Sequence, residues 1–341
     1  MNDAAAEAPL PKVELHLHLE GAAPPALTRR VAAAQGADCA GMFDAAGGYL
    51  WRDFGDFLRL YDRVAALYRR PEDVRALTEA ALAACARDGA VYVELTLSPD
   101  HAGGEAALWA EHLAAVAEGA AAAQAAHGVE ARCIAIGVRH FGPEAALRAA
   151  RLAADAPHPI LTGFGLAGDE RAGRAEDFAP AFALAREAGL GLTAHAGEFA
   201  GPDSVRAALD LWGVRRIGHG VRAVENRALV DRVAAEGVVL EVCPGSNVAL
   251  GAAPDWPRHP IHALARAGCR VTVSTDDPPF FATSLAREDA ELARCGWTRR
   301  ARAQLARTAL DAAFCDAATK MRLAALLPQD APASAEDYPA A

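Results

Sequence analysis

Eight short β-like runs, separated by Ala-rich stretches of helical character, constrain this chain more than any other feature. They span residues 13–19, 91–97, 131–138, 163–166, 191–194, 216–218, 238–242 and 270–274. Strands that alternate with helices pair in parallel, because each crossover carries the chain back along the sheet. Eight such βα units predict an α/β protein built as a (β/α)8 TIM barrel, with its working face at the C-terminal ends of the strands. The 341 residues and 52% hydrophobic content suit one barrel domain over residues 1–327, a common size for this architecture.

Two segments break the rhythm. Residues 21–90 are too many for one crossover, so they predict added helices, a lid insertion across the barrel mouth. Within it, residues 53–61 read DFGDFLRLY, amphipathic and aromatic. At the other end, residues 286–327 read as two or three terminal helices. Residues 328–341, rich in Pro, Ala and acids, read as a disordered tail.

Composition excludes several classes. A formal net charge of -10 argues against a nucleic-acid partner. Seven cysteines with no C-x-x-C pair argue against a disulfide framework and a Cys-type zinc site, and fit a reducing cytoplasm. Residues 1–10 carry no basic region of the kind that opens a signal peptide. No uncharged apolar run reaches about 18 residues, so no membrane span is expected.

Four polar clusters sit at the ends of strands one, five, six and eight: His16-Leu17-His18, His195-Ala196-Gly197-Glu198, His219 and Asp276-Asp277. His16 and His18 lie two apart on a strand and share a face, so both imidazoles can grip one metal. His195 supplies a third nitrogen. Gly197 lets the chain turn so that Glu198 aims into the pocket, where burial keeps a carboxyl protonated and able to donate. His219, between two glycines, is either a further ligand or a base acting on water. Of the adjacent Asp276 and Asp277, one ligates metal and the other binds substrate, because neighbours on a strand face opposite ways. This is the donor inventory of a zinc hydrolase.

Lysine settles the metal count. Two-metal barrels with H-x-H use a carboxylated lysine bridge, and the only lysines are Lys12, before strand one, and Lys320, in the terminal helices. One zinc per chain, held by His16, His18, His195 and Asp276, leaves a position open for water.

These residues, with PKVELHLHLEGA (11–22), RIGHG (216–220), STDDP (274–278) and LAGDE (166–170), resemble the adenosine deaminase family over about residues 10–322. The resemblance implies a mononuclear zinc enzyme that hydrolyses a cyclic amidine C–N bond, the 6-amino group of an adenine ring. It implies that Glu198 protonates N1, that His219 orients the attacking water and takes its proton, that Asp277 binds N7, and that the Gly168 backbone faces N3. A purine nucleoside or base is then the small-molecule partner. Glu20 stands where nucleoside enzymes carry the Asp that holds the sugar, which favours adenine. Thr275, Thr283-Ser284-Leu285 with Glu288, and Leu97-Ser98-Pro99 lean toward adenosine. Thr96, where some members carry Arg, and Gly165, where many carry Asp, bear on the sugar side. Adenosine to inosine is the leading reading; adenine, or a modified adenine nucleoside such as aminodeoxyfutalosine, is the alternative. A catalytically dead nucleoside-binding barrel is expected to lack Glu198 or Asp277, and both are present. Base-flipping zinc deaminases use a P-C-x-x-C site, absent here.

Overall fold

The computed structural model describes residues 9–329 and 331–339. Eight parallel strands run β1 (Lys12–His18), β2 (Ala90–Leu97), β3 (Glu130–Val138), β4 (Leu161–Ala167), β5 (Gly191–Ala196), β6 (Arg216–His219), β7 (Val239–Val242) and β8 (Arg270–Val273). They lie side by side in chain order, each next to its successor, with helices between them, as a (β/α)8 barrel. Expected strand ends fall within two residues of those observed.

The barrel closes at the site itself. Beyond β8, Asp276 bridges Leu17 of β1. Its N–H donates to the His16 carbonyl at 3.0 Å and its carbonyl accepts from His18 N–H at 3.1 Å.

The segment expected as an insertion forms the helices Pro25–Gln35, Phe54–Ala65 and Pro71–Arg87. The second begins where Asp53 caps it, accepting from Asp56 N–H at 2.9 Å, as a helix N-terminus favours. Phe57, Leu60, Tyr61, Val64 and Ala65 are buried along one stripe, the spacing of an amphipathic helix. The stripe lies on loops that follow the strands: Phe57 meets Phe280 and Phe281, with ring centroids 5.6 and 5.1 Å apart, and Phe54 meets Phe199 at 4.3 Å. The helix therefore roofs the barrel mouth.

Three helices close the chain, Leu285–Arg294, Arg299–Ala312 and Ala317–Ala324. The tail differs from the disorder that its composition suggested. Its described part carries a short turn, Ala335–Asp337, because buried Asp337 accepts from Thr298 Oγ1 at 2.7 Å and Arg300 Nη2 at 2.6 Å. A long-range polar anchor of this kind leaves no mark in local composition. All seven cysteines are free. Among the described residues, no helix is long and apolar enough to cross a membrane. The reading of residues 1–10 as free of a signal segment falls mostly outside the described residues.

Candidate active site and metal centre

Period two on β1 sends Glu14, His16 and His18 to one face, all buried. His16 Nδ1 lies 3.0 Å from Glu241 Oε2 on β7. His18 Nδ1 lies 2.8 Å from Thr96 Oγ1 on β2. A histidine whose Nδ1–H is engaged presents the Nε2 lone pair, and these lone pairs converge. His16 Nε2 is 3.0 Å and His18 Nε2 3.3 Å from His195 Nε2. Asp276 Oδ1 is 3.5 Å from His16 Nε2 and 3.2 Å from His18 Nε2. Four N and O donors at about 2.0–2.1 Å from one zinc, in tetrahedral array, stand about 3.3 Å apart. Three imidazoles and a carboxylate crowded this closely, all but the half-buried His195 buried, fit one such cation. His219 also lies within 4.8 Å of His16, His195 and Asp276, but its Nδ1 faces Asn247 Nδ2 at 3.1 Å and its Nε2 has no partner. That nitrogen lies beside the donors.

Two backbone features create this convergence. Asp276 and His219 both have positive φ, 63° and 61°, an uncommon state for non-glycine residues. At Asp276 the left-handed kink resolves the problem of adjacent aspartates, since both it and Asp277 now border the cavity. At Gly218 there is no room for a side chain: a Cβ would sit 2.7 Å from His16 Cε1 and 3.2 Å from His195 Nδ1.

Charge follows burial. Glu198 is buried, and burial, with the charges of Asp276 and Glu170, pushes its carboxyl well above the usual range. Burial and the negative charge of Asp276 likewise push the Asp277 carboxyl well above its usual range. Burial lowers His219 to about 3, leaving it neutral and able to accept. Asn247 Nδ2 reaches both His219 Nδ1 at 3.1 Å and Glu198 Oε1 at 3.5 Å, which ties the two side chains to one amide.

Sequence reading missed the groups that stand behind these. Glu170 accepts the N–H groups of Glu198, Phe199 and Ala200 at 3.0, 2.8 and 2.8 Å, and that of Gly197. Its carboxylate shapes the turn that Gly197 makes. Glu241 accepts from Arg216 Nε at 2.5 Å, and Arg216 Nη1 donates to Glu94 at 2.6 Å. Burial would raise the Glu241 pKa, yet the adjacent Arg216 guanidinium and His16 bring it down to about 2. An ionised Glu241 thus fixes the His16 tautomer. Glu14 accepts from Thr275 N–H and hydroxyl at 3.0 and 2.9 Å. The signal for Glu14, Glu94, Arg216 and Glu241 was a charge inside a strand otherwise buried. Thr96, read as a sugar-side departure, instead backs His18. Gly165 lies within β4, and Gly168 lines the cavity. Lys12 Nζ is tied to the Leu10 and Asp88 carbonyls at 3.0 and 2.9 Å, at the opposite end of β1.

The sequence model described as adenosine deaminase matches residues 11–329. The chain belongs to the adenosine deaminase family. It is a hydrolytic deaminase of the amidohydrolase type. A relative from Agrobacterium fabrum, named adenine deaminase, is 52% identical over 318 residues, covering 93% of this chain and 97% of its own. The solved adenine deaminase of Arthrobacter aurescens superposes with a TM-score of 0.84 at 30% identity, covering 93% of this chain and 98% of that one. A Burkholderia ambifaria amidohydrolase solved with bound zinc gives 0.83 at 26%, covering 95% and 93%. Deaminases of this type depend on a metal, and the clustered donors are consistent with that dependence.

Proposed function

We propose that this deaminase hydrolyses adenine to hypoxanthine and ammonia. The observation that carries the choice is the relative named adenine deaminase, 52% identical across 93% of the chain. This reverses the order read from sequence, which placed adenosine first, and the structure supplies a reason. The residues that leaned toward adenosine do structural work and do not line the cavity. Thr275 binds Glu14, Ser284 caps the helix Leu285–Arg294, Glu288 accepts from Gly245 N–H at 3.2 Å, and Ser98 accepts from Asp100 N–H at 3.2 Å.

His16, His18, His195 and Asp276 would hold one zinc, whose Lewis acidity makes water nucleophilic at neutral pH. His219, neutral through burial, orients the attacking water and accepts its proton. Glu198, protonated through burial, gives its proton to N1 as C6 is attacked, so negative charge on the ring is quenched where it forms. Asp277, also protonated, donates to N7, and the Gly168 backbone faces N3. The proton taken from water leaves with the amino group as ammonia, and the second proton of that water returns to Glu198 as the C6 carbonyl forms. The helix Phe54–Ala65 acts as a lid that excludes bulk water from this chemistry. Seven free thiols fit a cytoplasmic enzyme, and a net charge of -10 fits a small purine better than a nucleic acid.

The test is an ultraviolet deamination assay on zinc-loaded protein with adenine and adenosine side by side. Adenine turnover is expected. Turnover of adenosine alone would restore the nucleoside reading, and silence on both would point to a modified adenine nucleoside.

A further inference from the structure

One carboxylate under the roof joins loops from neighbouring strands. Asp62, on the helix Phe54–Ala65, has its Oδ1 3.0 Å from Nε2 of His101, which lies just past β2. Its Oδ2 lies 3.5 Å from Nε2 of His140, in the short turn Arg139–Phe141 after β3. Burial would raise the Asp62 pKa, yet the two imidazoles bring it down to about 2. Asp62, His101 and His140 line the cavity beside Gly168.

The other nitrogen of His140 reaches the loop after β4. Asp169 N–H donates to His140 Nδ1 at 3.3 Å. A neutral imidazole that accepts at Nδ1 carries its proton at Nε2, and that proton faces Asp62. The two neighbours together set the tautomer and orientation of the ring. The ring also packs on Gly168, where φ is 95°. A Cβ at Gly168 would fall 2.6 Å from His140 Nδ1, so only glycine lets the imidazole come this close. Arg139 holds the far end of the same loop, its Nε donating to the Ala172 carbonyl at 2.7 Å. Between these two holds, Glu170 gathers the N–H groups of the Glu198 turn. Gly168 is where this braced loop meets the cavity. A glycine has no side chain to aim its backbone, so the aim comes from what braces the loop.

We infer that His140 is a positioning residue which, held from the roof by Asp62, sets the Gly168 backbone against the purine ring. Asp62 acts through His140, so the seating of the roof helix and the grip on the N3 side of the ring are coupled. The inference rests on the adenine reading.

The experiment measures competitive inhibition of adenine turnover by hypoxanthine, 3-deazahypoxanthine and 7-deazahypoxanthine, using the zinc-loaded full chain. The first deaza compound has a C–H in place of N3; the second has one in place of N7, on the Asp277 side. The wild type is expected to bind hypoxanthine about tenfold more tightly than the 3-deaza compound, the effect of one hydrogen bond. His140→Leu should bring that ratio within about twofold of unity and leave the 7-deaza ratio unchanged. His140→Asn keeps an acceptor near Nδ1 and should keep most of the preference. Asp62→Asn should shrink the ratio by less, and should add nothing once residue 140 is leucine, since the two act in one chain. A 3-deaza ratio unmoved in His140→Leu would overturn the inference. So would a fall of both ratios together, which marks general loosening of the site. A wild-type 3-deaza ratio near unity, with adenine turned over, would overturn this inference alone. Silence on adenine would overturn the adenine reading and the inference with it.

Discussion

Three of the four donors at the strand ends, His16, His18 and Asp276, have a partner behind them, whereas several polar atoms under the roof helix have none. His16 is backed by Glu241 and then Arg216, and His18 by Thr96. Asp276 is backed by Ser246 Oγ at 2.6 Å, and the Glu198 turn by Glu170. Each partner sits on a different strand or strand-end loop of the barrel. On the roof side, Glu20 Oε1, His101 Nδ1 and His140 Nε2 are buried without hydrogen bonds, held by a helix that packs through aromatic side chains. The difference teaches a division of labour. Reacting groups need fixed positions within fractions of an ångström, and strands with supporting contacts provide that. The groups under the roof meet at one carboxylate, Asp62, so their placement follows the helix.

The largest expected effect breaks the strand side directly. Glu198→Gln keeps the shape but cannot deliver a proton, so kcat should fall by about 10²–10⁴-fold, with metal content unchanged by elemental analysis. Near-normal turnover would remove Glu198 as the N1 acid. A smaller effect tests the support behind a donor. Glu241→Gln leaves an oxygen for the His16 Nδ1–H but removes its charge, and chelator competition should show metal affinity about 10–100-fold weaker. An unchanged affinity with a lowered melting temperature would make the Arg216–Glu241 chain purely structural.

The smallest effect sharpens the roof side. Burial opposes charge on His101, but Asp62 and Glu20 raise its pKa above the usual value. Burial would likewise raise Asp62, yet His101 and His140 bring it down to about 2. A raised histidine stabilises the fold fully below its unfolded pKa of about 6.5 and loses that contribution as pH climbs through the folded value. A depressed carboxylate contributes above its unfolded pKa of about 3.9 and fades as pH falls toward 2. Asp62→Asn should therefore lower the melting temperature most between about pH 4 and 6.5, and least near pH 9. An equal drop at pH 5.5 and pH 9 would show that no ion pair holds the roof.

Strand positions were legible in the sequence because burial in a parallel barrel requires short continuous apolar runs, and the eight runs match β1 to β8. The clustering of His16, His195, His219 and Asp276 was legible too, since their side chains stand out at strand ends that are otherwise apolar. Glu14, Glu94, Arg216 and Glu241 were present in the same runs as visible charges, but their partners lie up to 261 positions away, as for Glu14 and Thr275. The leading adenosine reading, which the relatives named adenine deaminase do not support, leaned on residues of a related kind. Thr275, Ser284 and Glu288 carried a family signal whose physical role is capping and bracing, not contact with a sugar.

The sequence alone determined the barrel, its inserted helices and the inventory of three imidazoles, two aspartates and a glutamate at one rim, because periodicity and residue chemistry are local properties. Tertiary structure alone decided how those groups act. The left-handed turn that brings both Asp276 and Asp277 to the cavity forms where Asp276 pairs with β1 to close the barrel. The opposite pKa shifts of Glu198 and Glu241 depend on which charges burial places beside each. The unpartnered pair Glu20 and His101 exists because residues 81 positions apart meet beneath one helix. Electrostatics and hydrogen bonding depend on distance in space, which the fold sets and the order of residues does not reveal.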